Sequence, residues 1–386
     1  MEVLEAIQKR RTVRVPFNGE SVPDEIIQTL LEVSKISPSD DPVSWRLTRV
    51  DDETKKRLAR IVQEDFGDYF QKDGRRFKQV FSEYPKWLRF SEAQDGIRLS
   101  GFPKIAQYFY RLALGRRFGP MFGKMGIMNA EIKSYCRNII ANPALFGVFL
   151  DKRIRSAAIT PIINTGSMLQ NLRLAATALG LCYQDLGWIS ATKTASDKAR
   201  KLLGMSDNYA AVNFFRIGYT DKGHKQSKRS DFRRDLKDIV HRERFGNGGF
   251  RGQPAIKTGI QLIDAIRGPQ TKRDSQPVSE DELAYILEAA RWAPTGFNVQ
   301  PFEFIVTERK GAAVILVLEN RERRDPDPGP CEALARGGVL QNIRLAMRAL
   351  DREYEMRKPV VSEEEMLRKM YFIPPKFSVV GVVEAR

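Results

Sequence analysis

The chain has 386 residues, 42% of them hydrophobic, and a formal net charge of +16 at pH 7. That length holds two domains or one large one around an ordinary apolar core, and its three cysteines, Cys136, Cys182 and Cys331, lie far apart with no CxxC spacing, which argues against a disulfide framework and for a reducing compartment. With only His224 and His241 present, a histidine-based zinc or iron site is set aside, while the positive balance asks for an anionic partner: a phosphate-bearing cofactor, an anionic membrane surface or a nucleic acid.

The N-terminus is charged from Glu2 onward and shows no secretory signal. No apolar run approaches the roughly 18 residues of a spanning helix, so the expected location is the cytoplasm. Glu5 to Phe17, EAIQKRRTVRVPF, reads as a short amphipathic helix running into Arg10, Arg11 and Arg14, with the Thr12 hydroxyl among them. Three forked, permanently charged donors within five residues make a socket for a phosphate. A solvated basic helix end is the plainer reading of the same residues.

Val22 to Lys35 has a helical pattern with Asp24 and Glu25 in its first turn, followed by the loop SPSDDPVS over 37–44 and a strand over Trp45 to Val50. The same order recurs later: AIRGPQTKR (265–273), a helix over Val278 to Arg291, the loop APTGFNVQP (293–301) and a strand from Phe302 to Val306. A second matched pair follows, LQNLRLA at 169–175 and LQNIRLA at 340–346. Two matched segments in one order indicate a duplication, hence a fused pair of related domains. The offset falls from 278 − 22 = 256 to 340 − 169 = 171, so the second copy is shorter by 256 − 171 = 85 residues.

The extra residues of the first copy are expected at about 66–139, a stretch holding 15 of the chain's 37 aromatics and 14 Lys/Arg against 6 Asp/Glu. Within it, 96–130 carries no acid, and KIAQYFYRLALGRRF (104–118) sets Ile105, Tyr108, Phe109 and Leu112 on one helical face. A packed cap with a cationic outer face and a peripheral membrane contact through 96–130 are both open readings. Pro143 to Leu150 then reads as a buried strand, Met168 to Leu179 as a buried helix, Leu181 to Ile189 as a turn-containing passage, and Tyr209 to Tyr219 as a further strand. Residues 218–258 form a basic, glycine-bearing arm that runs into a linker. The expected division is copy one over 1–240, a linker over 241–258, and a shortened copy two over 259–386.

AIQKRRTVR, APTGFNVQPF, MLQNLRLAATALGL with its following LGW, and the basic segment after the strand ending IGY together resemble the FMN-dependent nitroreductase family. The resemblance implies an α+β fold, here two nitroreductase-like domains forming an intramolecular pseudo-dimer, with FMN at the interface between them. It carries the flavin-phosphate motif onto Arg10, Thr12 and Arg14, the partner's Pro loop onto Pro294, Thr295 and Asn298, and the backbone that meets the flavin N5 edge onto Leu186 and Gly187. The late phosphate-binding cation falls on Lys228 and Arg229, or in an alternative register on Arg233 and Arg234. A flavin carries its own redox chemistry, which suits a chain without a Ser/His/Asp or Cys/His constellation.

The implied activity is an FMN oxidoreductase moving hydride or electron pairs between a donor such as NADH or NADPH and a bulky apolar organic substrate. A flavin-sequestering protein without turnover is the alternative from another class, and an anionic membrane-surface or nucleic-acid binder is the third. The copies differ in their equipment: copy one has Asp40 and Asp41 and no asparagine in its Pro loop, and copy two has Pro269 and Gln270 where copy one has Arg10 and Arg11. One composite FMN site per chain is therefore expected.

Overall fold

The computed structural model describes residues 1–38, 43–71, 129–154, 159–190, 192–221, 233–250, 252, 254–268, 277–323 and 330–385. In the first half, α1 (Val3–Lys9), α2 (Asp24–Lys35), β1 (Trp45–Val50), α3 (Asp52–Gln71), α4 (Asn129–Ile140), β2 (Ala144–Asp151), α5 (Thr160–Ala178), β3 (Cys182–Asp185), α6 (Lys193–Leu202) and β4 (Tyr209–Gly218) follow in order. The arm supplies α7 (Leu236–Ile239) and β5 (Val240–Arg242). The second half contains α8 (Leu262–Arg267), α9 (Glu280–Arg291), β6 (Phe302–Arg309), β7 (Ala312–Asn320), α10 (Cys331–Ala349), β8 (Tyr354–Arg357), α11 (Val361–Met370) and β9 (Phe377–Ala385). Among these, no helix is long and apolar enough to cross a membrane.

Sheet one runs β1-β2-β4-β3 and sheet two β5-β6-β7-β9-β8, so the four strands of each half take the same order. The repeat extends to an irregularity: the β2–β4 ladder shifts register between Val148 and Phe149, and the β7–β9 ladder shifts between Val317 and Leu318, 317 − 148 = 169 residues later. The inner faces of both sheets and the helices between them share one hydrophobic cluster that includes Ile7, Phe146, Leu169, Leu172, Leu287, Phe304, Leu340 and Ile343.

α5 and α10 cross at that centre, and their contact is reciprocal. Gln170 donates to the Asn342 side chain at 2.7 Å, and Gln341, 171 residues after Gln170, donates to Asn171 at 2.8 Å. Both helices are buried on nearly every side, so their polar residues need such partners. The same reciprocity holds at the N-terminal helices, where Glu2 and Gln261 form an antiparallel bridge and Leu262 N–H donates to Met1 C=O at 3.0 Å. Gln8 donates to Glu288 at 3.1 Å, while its counterpart Arg267 pairs with Glu32, also at 3.1 Å. Equivalent residues exchanging equivalent contacts is the pattern of a twofold, self-complementary interface.

The halves differ in what joins their first two strands. Residues 51–143 separate β1 from β2, whereas Lys310 and Gly311 alone join β6 to β7. The extra length, expected at about 66–139, falls here within the 51–143 connection, which takes in α3 and α4; neither helix has a counterpart among the described residues of the second half. The helical face of Ile105, Tyr108, Phe109 and Leu112 lies outside the described residues.

The segment expected as a linker over 241–258 also carries structure. Val240, His241 and Arg242 pair in parallel with Phe304, Ile305 and Val306, so the first half lends a strand to sheet two. Phe250 is 1% exposed in the central cluster. A three-residue strand is too short to show a period, and the glycines after it mask its one buried aromatic.

Candidate functional site

The arginine cluster begins where α1 stops. Arg10 N–H closes the helix on Ala6 C=O, and the chain then extends along the outer edge of β3, with Thr12 bridging to Tyr183 and Val13 N–H donating to Tyr183 C=O at 3.0 Å. An extended chain alternates its side chains: Val13 is buried, and Thr12 and Arg14 are half-buried and exposed. From below, Arg216 on β4, wholly buried, donates to the Val13 and Val15 carbonyls and to Gln184.

Arg10 itself is 5% exposed and its Nε, buried, makes no hydrogen bond. Burial, then the neighbouring cations Arg173 and Arg11, push its guanidinium down to about 10, with Arg14 adding to the same effect and Asp185 opposing it. Asp185 is held by Arg173 at 3.0 and 3.1 Å, by the Tyr183 hydroxyl at 3.1 Å and by Asn213 at 2.7 Å. Burial pushes its carboxyl up, but Arg173 and those hydrogen bonds overcome it and keep the group below the usual carboxylate range. One carboxylate therefore faces a surplus of guanidinium charge, a deficit that a phosphate would fill.

Two residues past Asp185 the chain turns through a short 3-10 segment, Gly187–Ser190. Leu186 is wholly buried and its N–H donates to Phe214 C=O at 2.7 Å. Trp188 N–H donates to the Tyr135 hydroxyl at 2.9 Å, and the two rings stack with centroids 4.6 Å apart. Between these engaged amides stands Gly187, where a Cβ would meet nothing within 4 Å. The space beside its Cα is therefore open, room that a flat ring would need for close approach.

The second half reaches the same cluster. Arg11 turns back onto the Gln8 and Arg10 carbonyls and lies over the Trp292 indole at 4.9 Å. Arg233 of the arm lies over the same indole at 4.5 Å and is 7% exposed. Trp292 is fixed by its Nε1–H to Glu288 at 2.7 Å, and the Pro loop begins at the next residue. There Thr295 Oγ1 accepts Gln300 N–H at 3.1 Å, Asn298 takes a left-handed φ of 58°, and Gln300 Oε1 accepts Arg234 N–H at 2.8 Å. Asparagine tolerates that backbone better than most side chains.

Of the expected site residues, Arg10, Thr12 and Arg14 lie on the segment that runs along the edge of β3, Leu186 and Gly187 stand just past the end of β3, and Pro294, Thr295 and Asn298 follow directly on the tryptophan against which Arg11 docks. Lys228 and Arg229 lie outside the described residues. Of the alternative register, Arg233 sits at the cluster, whereas the Arg234 guanidinium is committed to Glu303 at 2.9 Å. Nothing in the sequence pattern marks Arg173, Asp185, Arg216 or Trp292 as site residues; Arg173 stands inside LQNLRLA, where the repeat makes it look like packing.

The counterpart positions in the second half carry other chemistry. Tyr183 pairs with Ile217 and Tyr354 with Ala385, which aligns Asp185 with Met356, Gly187 with Lys358, Arg216 with Glu384, Gln184 with Glu355 and Asn213 with Gly381. Asp40, Asp41, Pro269 and Gln270 lie outside the described residues. A cleft of about 300 Å³ in this half is lined by Lys358, Thr295, Ser378 and the ion-paired Glu319 and Arg336, and contains neither the arginine cluster nor Gly187.

The family model described as Nitroreductase family matches residues 7–219 and 272–318. The chain belongs to the nitroreductase family, a class of FMN oxidoreductases. Among solved structures it is similar to the NADPH:FMN oxidoreductase of Vibrio harveyi complexed with NAD+, at 15% identity and a TM-score of 0.36 over 58% of this chain and 71% of that one. It is also similar to nitroreductase A of Vibrio parahaemolyticus, at 14% identity and 0.36 over 58% and 71%. A nitroreductase with bound FMN from Bacteroides fragilis gives 17% and 0.35 over 59% and 92%. Curated proteins give no match.

Proposed function

We propose that the chain holds one FMN in a composite site spanning both halves of an intramolecular pseudo-dimer, and transfers hydride between NADH or NADPH and a bulky apolar organic substrate. The observation that carries this reading is the docking of Arg11 of the first half, beside Arg10, and of Arg233 of the arm over the Trp292 indole, from which the second half's Pro294–Asn298 loop directly follows. The residues present fit the group: a buried cationic surplus with an unbonded Arg10 Nε for the phosphate, and an open backbone face at Gly187 for the ring. Bound FMN would supply the hydride-exchanging centre. Arg10, Thr12 and Arg14, with Arg233, would hold the phosphate; the Gly187 amide, between two amides already engaged, would meet the ring edge; Pro294, Thr295 and Asn298 would close the site from the other half. The apolar substrate class rests on the aromatic richness of 66–139.

The counterpart combination offers Met356 for Asp185, Lys358 for Gly187 and a facing pair of acids, Glu355 and Glu384, for Gln184 and Arg216. A long side chain in the ring position and like charge under the phosphate segment both disfavour FMN there. Reconstitution with excess FMN is expected to give one flavin per chain, and a ratio near two would sink the composite-site reading. Gly187→Val is expected to leave the unfolding midpoint nearly unchanged, because the Cβ points into open space, while lowering flavin occupancy by about tenfold or more as the ring is held off the backbone. Full occupancy in that variant, measured by absorbance near 450 nm, would place the ring elsewhere.

A further inference from the structure

The stretch that carries the phosphate socket is an extended segment that touches the edge of β3 through a single bridge at Thr12, a margin where backbone N–H and C=O groups go unpaired unless something else engages them. Here both edges are held. On one edge Arg216 Nη2 donates to Val15 C=O at 2.6 Å and to Val13 C=O at 3.3 Å, its Nε donates to Gln184 at 2.7 Å, and its guanidinium lies 3.9 Å from the Phe17 ring centroid. On the opposite edge, as alternation of carbonyls requires, Asn138 of α4 donates its side-chain amide to Arg14 C=O at 3.3 Å. Both side chains are buried, at 0% and 5% exposure.

Placing an arginine wholly inside the protein is costly, and an apolar side chain would fill the same space more cheaply. What the arginine adds is orientation: three carbonyls, at 13, 14 and 15, are gripped from two sides, which fixes the side-chain directions of Thr12 and Arg14 between and beside them. The half that lacks the arginine cluster has Glu384 in place of Arg216. An ionised acid at that position cannot donate to carbonyls, so it cannot supply the same clamp.

We propose that Arg216 and Asn138 are positioning residues that preorganise segment 12–15 to receive the cofactor phosphate, without touching the phosphate themselves. This rests on the composite FMN reading. Preorganisation concentrates its benefit on the group it serves, so the expected signature is selectivity between FMN and riboflavin, which share the ring and ribityl chain and differ in the phosphate.

The test is titration of the flavin-stripped full chain with each flavin, following fluorescence quenching. Arg216→Met is expected to weaken FMN by about tenfold or more and riboflavin by less than about twofold. Arg216→Lys, which retains a cationic donor, should recover part of that loss. Asn138→Ala, which removes one bond from the other edge, should show the same selectivity at about threefold, and it decides the matter if Arg216→Met does not fold. Equal losses for both flavins, or no loss of FMN in Asn138→Ala and Arg216→Lys alike, would overturn the clamp. A wild-type chain that binds neither flavin would overturn the cofactor reading and the clamp with it.

Discussion

Gly337→Ala is expected to destabilise the protein by about 3 kcal/mol, one of the two largest effects expected of a single substitution here. A Cβ at 337 would stand 2.0 Å from Ile163 C=O and 2.6 Å from Ser167 N, and one at Gly166 would stand 2.2 Å from Leu334 C=O. These are backbone atoms of a buried helix, and no rotamer change relieves them. The cost falls on the crossing of α5 and α10, where the halves meet and where Gln170, Asn171, Gln341 and Asn342 exchange hydrogen bonds. Gly338→Ala is the matched control: its Cβ would meet Pro294 at an ordinary 3.5 Å, and alanine in a helix gains about 0.5–1 kcal/mol over glycine. Urea unfolding of the two variants should move the midpoint in opposite directions. Equal behaviour would mean that the helices do not approach so closely.

The second large effect is expected at Arg10, and its sign differs between empty and loaded protein. Arg10 is buried among Arg173, Arg11 and Arg14 with one carboxylate, Asp185, to offset them, so Arg10→Met removes a desolvated, repelled charge and replaces it with an apolar stem of similar length. The flavin-free protein should melt no lower than wild type. The FMN dissociation constant should rise by about tenfold to a hundredfold, as a charge-assisted contact to the phosphate is lost, and the stabilisation of the melt by FMN should shrink accordingly. Arg11→Met should show the reverse pattern. Its guanidinium is spent on the Gln8 and Arg10 carbonyls and on Trp292, so the flavin-free protein should lose stability while FMN affinity changes little. Identical profiles for the two variants would reduce the cluster to a diffuse basic surface.

Much of this arrangement was legible in the chain. The strand expected over Trp45 to Val50 after the proline loop is β1, and the helix expected over Val278 to Arg291 is α9, which starts two residues later at Glu280 because Ser279 and Glu282 form a capping box. The paired LQN motifs indicate the duplication because they recur in the same order as a second matched segment; in the structure their glutamines and asparagines are hydrogen-bonded to each other. What was not legible depends on distance through space. Arg173 and Arg216 lie on elements whose sequence shows only burial, and Asp185 acquires its meaning from three side chains on three elements. Trp292 follows a helix as an ordinary C-cap residue, and nothing local says that Arg11 and Arg233 will lie over its ring. The donated strand β5 escaped for another reason: three residues cannot display a period, and its pairing partner is 64 residues away.

The replacement of Gly187 by Lys358 and of Arg216 by Glu384 bears on how such a protein changes over generations. In a symmetric homodimer every substitution is felt at both sites at once, so a variant that improves one role while harming the other is judged on the sum. Here the first half can vary its cradle without altering any counterpart, and the second half can vary its loop alone. With the single composite site proposed above, selection would act on half-sites, and the residues of the other combination would be released to drift or to take up structural duties such as the pairing of Arg357 with Glu363 at 2.7 Å.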